Sequence, residues 1–425
     1  MRIAMGMREP LMDMNDLRAH KWKIAVWAVW IVAALIGLAG VIERFAYGHA
    51  LAGYTSYVPW GMWVAAYIYF IGLSAGAFLL SSMVYVFGVK QLERIARLSL
   101  FVAVITLVMA LLSILFDLGH MERFFFVYIR PQFHSMMAWM VWLYTAYFIL
   151  LVAELYFALR RDLQPLAPEQ IAKDQRTLRI LGMIGIPLAI AFHGGVGALF
   201  GTVAAREYWH TAIFPIIFLA GALVSGGALM TAVVAFVWPE RDQRWRDLMS
   251  LLSKLVLGLV LFDFLLEFAE YSIPAWYQIG SEYNLITYTL FGPYWYVFWI
   301  FHLLLGVIIP VYLLGWRKTP LAQGIGAALV AITFFAIRLN LVIPGLITPE
   351  LQGLQQAYLD PIGNRLSYTY FPTFFEWQVT IGVVALGIAL FYLGYRYLPL
   401  VQPAPVETSA SGDTPISGAA PAGQE

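Results

Sequence analysis

The sequence predicts an all-α integral membrane protein of ten transmembrane helices: two four-helix units plus two extra helices, with both termini cytoplasmic. Three observations carry that prediction. Of 425 residues, 61% are hydrophobic and only 12% charged, where a soluble domain has roughly one quarter charged. Mean hydropathy is +0.75. The apolar residues fall in ten continuous runs long enough to cross the hydrocarbon, which takes ~20 residues. These runs do not alternate with the period of two that a transmembrane barrel requires.

In chain order the spans are 24–43, 60–88, 98–117, 135–159, 179–201, 211–238, 250–271, 293–315, 321–346 and 375–398. Residues 1–23 are polar, and no small-residue cleavage site follows a short apolar core. The first span therefore reads as retained within a membrane domain of residues 24–398. The segment 399–425, rich in Pro, Ala, Ser and Gly, is expected to be a disordered cytoplasmic tail.

Lys and Arg gather before the first span (Arg18, Lys21, Lys23) and after the second (Lys90, Arg94, Arg97). They recur after the fourth (Arg160, Arg161, Lys173, Arg176), sixth (Arg241, Arg244, Arg246) and eighth (Arg317, Lys318). By the positive-inside rule these ends are cytoplasmic. The five opposite loops are aromatic, among them HALAGYTSYVPWG and PAWYQIGSEYNLITYTLFGPYW. Interfacial aromatic belts explain such loops, and five on one side also offer a docking platform.

A weak internal repeat relates GLSAGAFLL in the second span to ALVSGGALM in the sixth. The same shift carries Asp117 to within one residue of Glu267. Spans two to five and six to nine thus read as two four-helix units, with the small residues serving close packing.

Ionisable residues inside spans are costly and mark pathways, ligands or pairing partners. Asp117 and His120 in FDLGHMERF share a face at the outer end of the third span. His193 lies fourteen residues, or ~21 Å, up the fifth span. In LFDFLLEFAEYS, Asp263, Glu267 and Glu270 occupy one face of the seventh span, followed by Arg338 and Asn340 in the ninth and Glu376 opening the tenth. A buried arginine needs an acid, for which Glu267 and Asp117 are the candidates. Alone, His120 and Glu376 also suit a plain interfacial role, and His302 a packed, hydrogen-bonded one.

Five helices bringing polar groups to one depth suit a quinone, whose carbonyls need hydrogen-bond donors when oxidised and proton acceptors when reduced. A haem b held by His193 and His302 is the rival ligand. A secondary transporter is the reading from a different class. Net charge is +1, so no surface points to nucleic acid. Absence of cysteine leaves no thiolate ligand for an iron–sulfur cluster in this chain.

The segments YVPWGMWVAAYIYFIGLSAGAFLL, DLGHMERFFFVYIRPQFHSMMAWMVWLY, FHGGVGALF and RLSYTYFPTFFEWQVTIG resemble the polysulfide reductase NrfD/PsrC family, in the ten-helix form similar to the HybB and DsrP membrane subunits. The resemblance spans nearly all of residues 20–400, and Asp117 to Trp139 is its most specific part. Where that pattern often has arginine, this chain has His120.

The resemblance implies a haem-free, multi-pass subunit of the bacterial inner (cytoplasmic) membrane. Such a subunit exchanges electrons between menaquinone or ubiquinone and a four-cluster, ferredoxin-like iron–sulfur subunit on the periplasmic face. A molybdopterin enzyme, hydrogenase or multihaem cytochrome would complete the complex and hold the terminal catalytic centre. The family's quinone site maps onto Asp117, His120 and His193, with Glu267 and Arg338 beside them. Asp263, Glu267 and Glu270 are expected to transfer protons, with Asp263 opening an inner path through Ser225, Thr231 or Glu154.

Overall fold

The computed structural model describes residues 21–55, 57–278, 280–349 and 367–401. Most of both terminal segments and much of the loop before the last span lie outside these residues. Ten helices are long and apolar enough to cross a membrane: α1 (Lys21–Tyr47), α2 (Met62–Tyr85), α3 (Ala96–Asp117), α4 (Met136–Leu163), α5 (Pro168–Gly201), α6 (Phe214–Val237), α7 (Gln243–Tyr277), α8 (Val297–Gly315), α9 (Pro320–Ile347) and α10 (Phe374–Tyr397). Each predicted span corresponds to one of them.

The main differences in length have local causes. Pro168 stands in the first turn of α5, where its missing N–H costs nothing. Asp242 accepts a hydrogen bond from Trp245 N and starts α7. Both helices therefore begin with polar turns that an apolar window passes over. In α8, Val297–Ile308 is wound as a π-helix before Pro310, which has no N–H for an ordinary i to i−4 bond.

The helices pack as two closed rings of four. In the first, α2 meets α3, α3 meets α4, α4 meets α5, and α5 returns to α2; α6 to α9 repeat the circuit. The rings join where α2 crosses α6, flanked by α2 with α9 and α5 with α6, an arrangement that exchanging the two units leaves unchanged. At this crossing a Cβ added to Gly76 would stand 2.1 Å from the Ala222 carbonyl oxygen. Backbones approach that closely only where side chains are absent. The helix pair α1 and α10 packs outside, against α3; α1 presents Val29, Leu35, Ile42 and Phe45 outward, as a lipid-facing helix should.

The two ends of the bundle differ in chemistry. At one, aromatic loops interlock: Tyr57 stacks on Tyr368 at 4.2 Å, Trp60 on Trp209 at 6.0 Å, and Tyr294 donates to the Tyr370 carbonyl. At the other, charges pair: Arg94 with Glu240 (2.5 Å) and Asp242 (3.5 Å), Arg97 with Asp162, and Arg160 with Asp174 (3.3 Å). We call these the aromatic and basic faces.

Candidate functional site

Helix α3 ends at Asp117, and its last carbonyls would be unsatisfied without help. Buried Arg44 of α1 supplies it, donating Nε to Phe116 O (2.8 Å) and Nη2 to Leu118 O (2.6 Å). The Asp117 side chain, fixed in this way, accepts a hydrogen bond from the Tyr54 hydroxyl at 2.6 Å. Tyr54 belongs to the loop between α1 and α2. Burial and the neighbouring Asp117, Tyr370 and Glu376 charges push its hydroxyl well above the usual tyrosine range, so it stays a donor.

Asp117 borders a cavity of about 690 Å³ at the aromatic end of the first ring. Its walls come from α2, α3, α4, α5 and the segment after α3, and they are mostly apolar, including Leu112, Met140 and Phe148. The polar groups converging on it are few: Asp117, Tyr67, Tyr144, Tyr128, Thr145, His120 and Arg123. Tyr67 and Tyr144 are buried and join hydroxyl to hydroxyl. Size, greasy walls and sparse polar groups are those of a small-molecule site. The tyrosines give no sequence signal of their own, since YIYF and LYTAY read as interfacial aromatics.

His120 lies at the rim, its side chain 66% exposed and its Nδ1 2.9 Å from Glu122 Oε1. The backbone and the His120 ring hold the Glu122 carboxyl below its usual range.

The remaining expected residues lie elsewhere. His193 is fully buried but does not border the cavity; its neighbour Phe192 packs on Tyr144 and Tyr147. The His193 ring points to the junction between the rings, where its Nε2 donates to Phe218 O at 2.7 Å and its Nδ1 has no partner. Arg338 lies over the Phe218 ring at 4.7 Å and the Phe334 ring at 4.9 Å, with Nε and Nη2 unbonded. The acids in its electrostatic range are Asp263 and Glu267.

The pairing expected between Arg338 and Asp117 is not what the fold makes, because Asp117 is in the other ring and bound to Tyr54. Glu267 is bonded instead to His302 Nε2 at 2.9 Å. Asp263 Oδ1 has no hydrogen-bond partner, and Glu270 is half-buried at the open end of the same helix face. The single polar level read from the sequence is thus two groups. Asp117 and His120 border a cavity in the first ring, while His193, Arg338, Asp263, Glu267 and His302 run from the junction into the second.

The other acid at that level is structural. Glu376 caps α10 through a reciprocal box with Thr373 and also accepts from Gly53 N (3.2 Å) and the Tyr370 hydroxyl. Ser225 and Thr231, expected on an inner path, donate back to Gly221 O and Gly227 O of their own helix. Glu154 lies in the first ring, away from Asp263.

Comparison with known proteins places this architecture. Residues 51–350 match the family profile described as Polysulphide reductase, NrfD. A selenate reductase subunit of Mesobacillus selenatarsenatis is 37% identical over 398 residues, covering 86% of this chain and 92% of its own. The Hdr-like menaquinol oxidoreductase integral membrane subunit of Archaeoglobus fulgidus is 29% identical, covering 89% and 94%. The menaquinone reductase integral membrane subunit of Nitratidesulfovibrio vulgaris is 23% identical, covering 90% and 93%. With two four-helix rings, an outer helix pair and these relatives along nearly its whole length, the chain belongs to the NrfD family of polysulfide reductase membrane subunits.

Proposed function

We propose that this protein is the quinone-binding membrane subunit of a respiratory reductase complex, exchanging electrons between menaquinone or ubiquinone and an iron–sulfur partner. The observation that carries the reading is the 690 Å³ cavity with Asp117 and its Tyr54 donor at the aromatic end. Two relatives named for menaquinol or menaquinone support the substrate class. The relative named as part of a selenate reductase supports a catalytic partner.

In this reading Asp117 would hold the head group, and the apolar wall that includes Phe148 would take the isoprenoid tail. Oxidation of a quinol releases two electrons and two protons. Asp117, held by Tyr54, accepts the two head-group protons in turn, and each leaves to water at the rim beside His120. The electrons leave to a four-cluster, ferredoxin-like iron–sulfur subunit seated on the aromatic loops, which makes that face periplasmic and both termini cytoplasmic by the positive-inside rule. A molybdopterin, hydrogenase or multihaem subunit would complete the assembly.

His193 and Arg338, also expected on the quinone, do not border the cavity and in this reading set the charge at the junction of the rings. Asp263 and Glu267, expected with Glu270 to transfer protons, serve in this reading as counter-charges to Arg338 and His302 in the second ring. A haem between His193 and His302 has less support, because each histidine is committed to a protein hydrogen bond and neither borders the cavity.

Photolabelling of the purified complex with an azido-menaquinone tests the reading. Labels are expected on cavity residues such as Met140 and Phe148, competed by unmodified menaquinone. Labels confined to the second ring, or a Soret band belonging to this chain, would refute it.

A further inference from the structure

Deep in the first ring lies a buried acid that the quinone site does not use. Glu154 of α4 is 0% exposed, and neither carboxylate oxygen has a hydrogen-bond partner. Gly182 on the facing helix α5 leaves it room: a Cβ added there would stand 3.9 Å from Glu154 Oε1. An acid with no cap, ion pair or backbone contact contributes nothing to packing that a leucine would not, and within a membrane such groups mark pathways.

Polar features lie on both sides of it. Toward the basic face, a cavity of about 550 Å³ is lined by Tyr85, Lys90, Glu93, Arg97, Arg161 and Asp174 among others, and by Ala158 one turn from Glu154. Tyr85 is in electrostatic range of Glu154, Arg97 and Arg161. Toward the aromatic face, Tyr147 is in electrostatic range of Glu154 and donates to Ser74 O at 3.3 Å. One turn further, Tyr144 meets Tyr67 at the quinone cavity. From Tyr144 to Glu154 is ten residues, or ~15 Å along α4, about half of a hydrocarbon layer.

We propose that Glu154 carries protons between the basic-face cavity and the quinone cavity, so that the first ring itself is the proton path accompanying quinone chemistry. The proposal rests on the quinone reading above. When a quinone is reduced, it takes two electrons from the partner's iron–sulfur carrier and two protons. Glu154 releases each proton toward Tyr147 and Tyr144 and is reloaded from the basic-face cavity.

The test uses the assembled complex in proteoliposomes, with a pH indicator on the basic-face side and a water-soluble menaquinone analogue. Glu154→Gln should retain azido-menaquinone labelling, lose turnover on the order of tenfold to a hundredfold, and lose the pH signal on that side. Glu154→Asp should recover part of both. Wild-type turnover with an undiminished pH signal in Glu154→Gln would overturn the proposal. Should Glu154→Gln not assemble, redox-difference infrared spectra decide. A carboxyl band in the wild-type complex that moves in Glu154→Asp supports proton exchange at this residue, and a band that stays in place overturns it. If the wild-type complex takes no quinone label in the cavity, the quinone reading itself fails, before Glu154 is varied.

Discussion

The two four-helix rings share a circuit of contacts and differ in what they enclose. The first surrounds a 690 Å³ cavity with Asp117 at its wall and an unpartnered Glu154 below. The second closes on a train of packed charges, Arg338 over two phenylalanines and Glu267 on His302. A repeat therefore preserves how helices meet, while the few polar residues it gains or loses decide what chemistry each ring encloses. The position in α8 matching Glu154 under the repeat shift is Leu305, and that in α3 matching Glu267 is Phe116. Chemistry has diverged while geometry was kept.

This contrast predicts that substitutions in the first ring change turnover, and those in the second change stability. The largest effect is expected at Asp117→Asn, which keeps the Tyr54 contact but removes the proton acceptor. Quinone-linked turnover should fall on the order of a hundredfold, with the melting midpoint followed by tryptophan fluorescence unchanged. Equal loss of melting midpoint and turnover would make Asp117 structural and erase the contrast.

His302→Ala comes next. It strands the Glu267 carboxylate in the second ring, and breaking a buried pair costs about 3 to 5 kcal/mol. The yield of folded complex and its melting temperature should drop, while turnover per folded complex stays within about twofold, below ~0.5 kcal/mol. A selective loss of turnover would move the second ring into the chemistry.

The smallest effect is expected at His120→Ala. Its partner Glu122 is as exposed as itself, at 68%, and exposed pairs contribute about 0 to 1 kcal/mol. Apparent KM should rise no more than about threefold, read from steady-state titration of quinol. A loss as large as that of Asp117→Asn would place His120 on the head group.

Much of the fold was legible because it follows from one variable, hydropathy along the chain. The spans, the repeat and the small-residue crossing at Gly76 could all be read from it. The site was legible only in part, because depth along a helix is encoded by position while direction around it is not. Asp117 and Arg338 stand at similar depth in different rings, and only packing separates them. Tyr67 and Tyr144 were missed because a tyrosine in an apolar run also reads as an interfacial anchor. Glu376 reads from the sequence as an interfacial acid, whereas in the structure it closes a capping box with Thr373 that satisfies the first N–H groups of α10.

The amino-acid sequence by itself determined that the chain spans a membrane ten times, that its ends differ in charge and aromatic content, and that it carries few ionisable groups. Burial in lipid penalises every exposed backbone and charge, so these features are forced locally. The tertiary structure decided which charges meet, that Glu267 faces His302 and Asp117 faces Tyr54, and that Asp117 borders a cavity in the first ring. Those outcomes depend on helix rotation and on which side chains fill a shared interior, and no single segment contains that information.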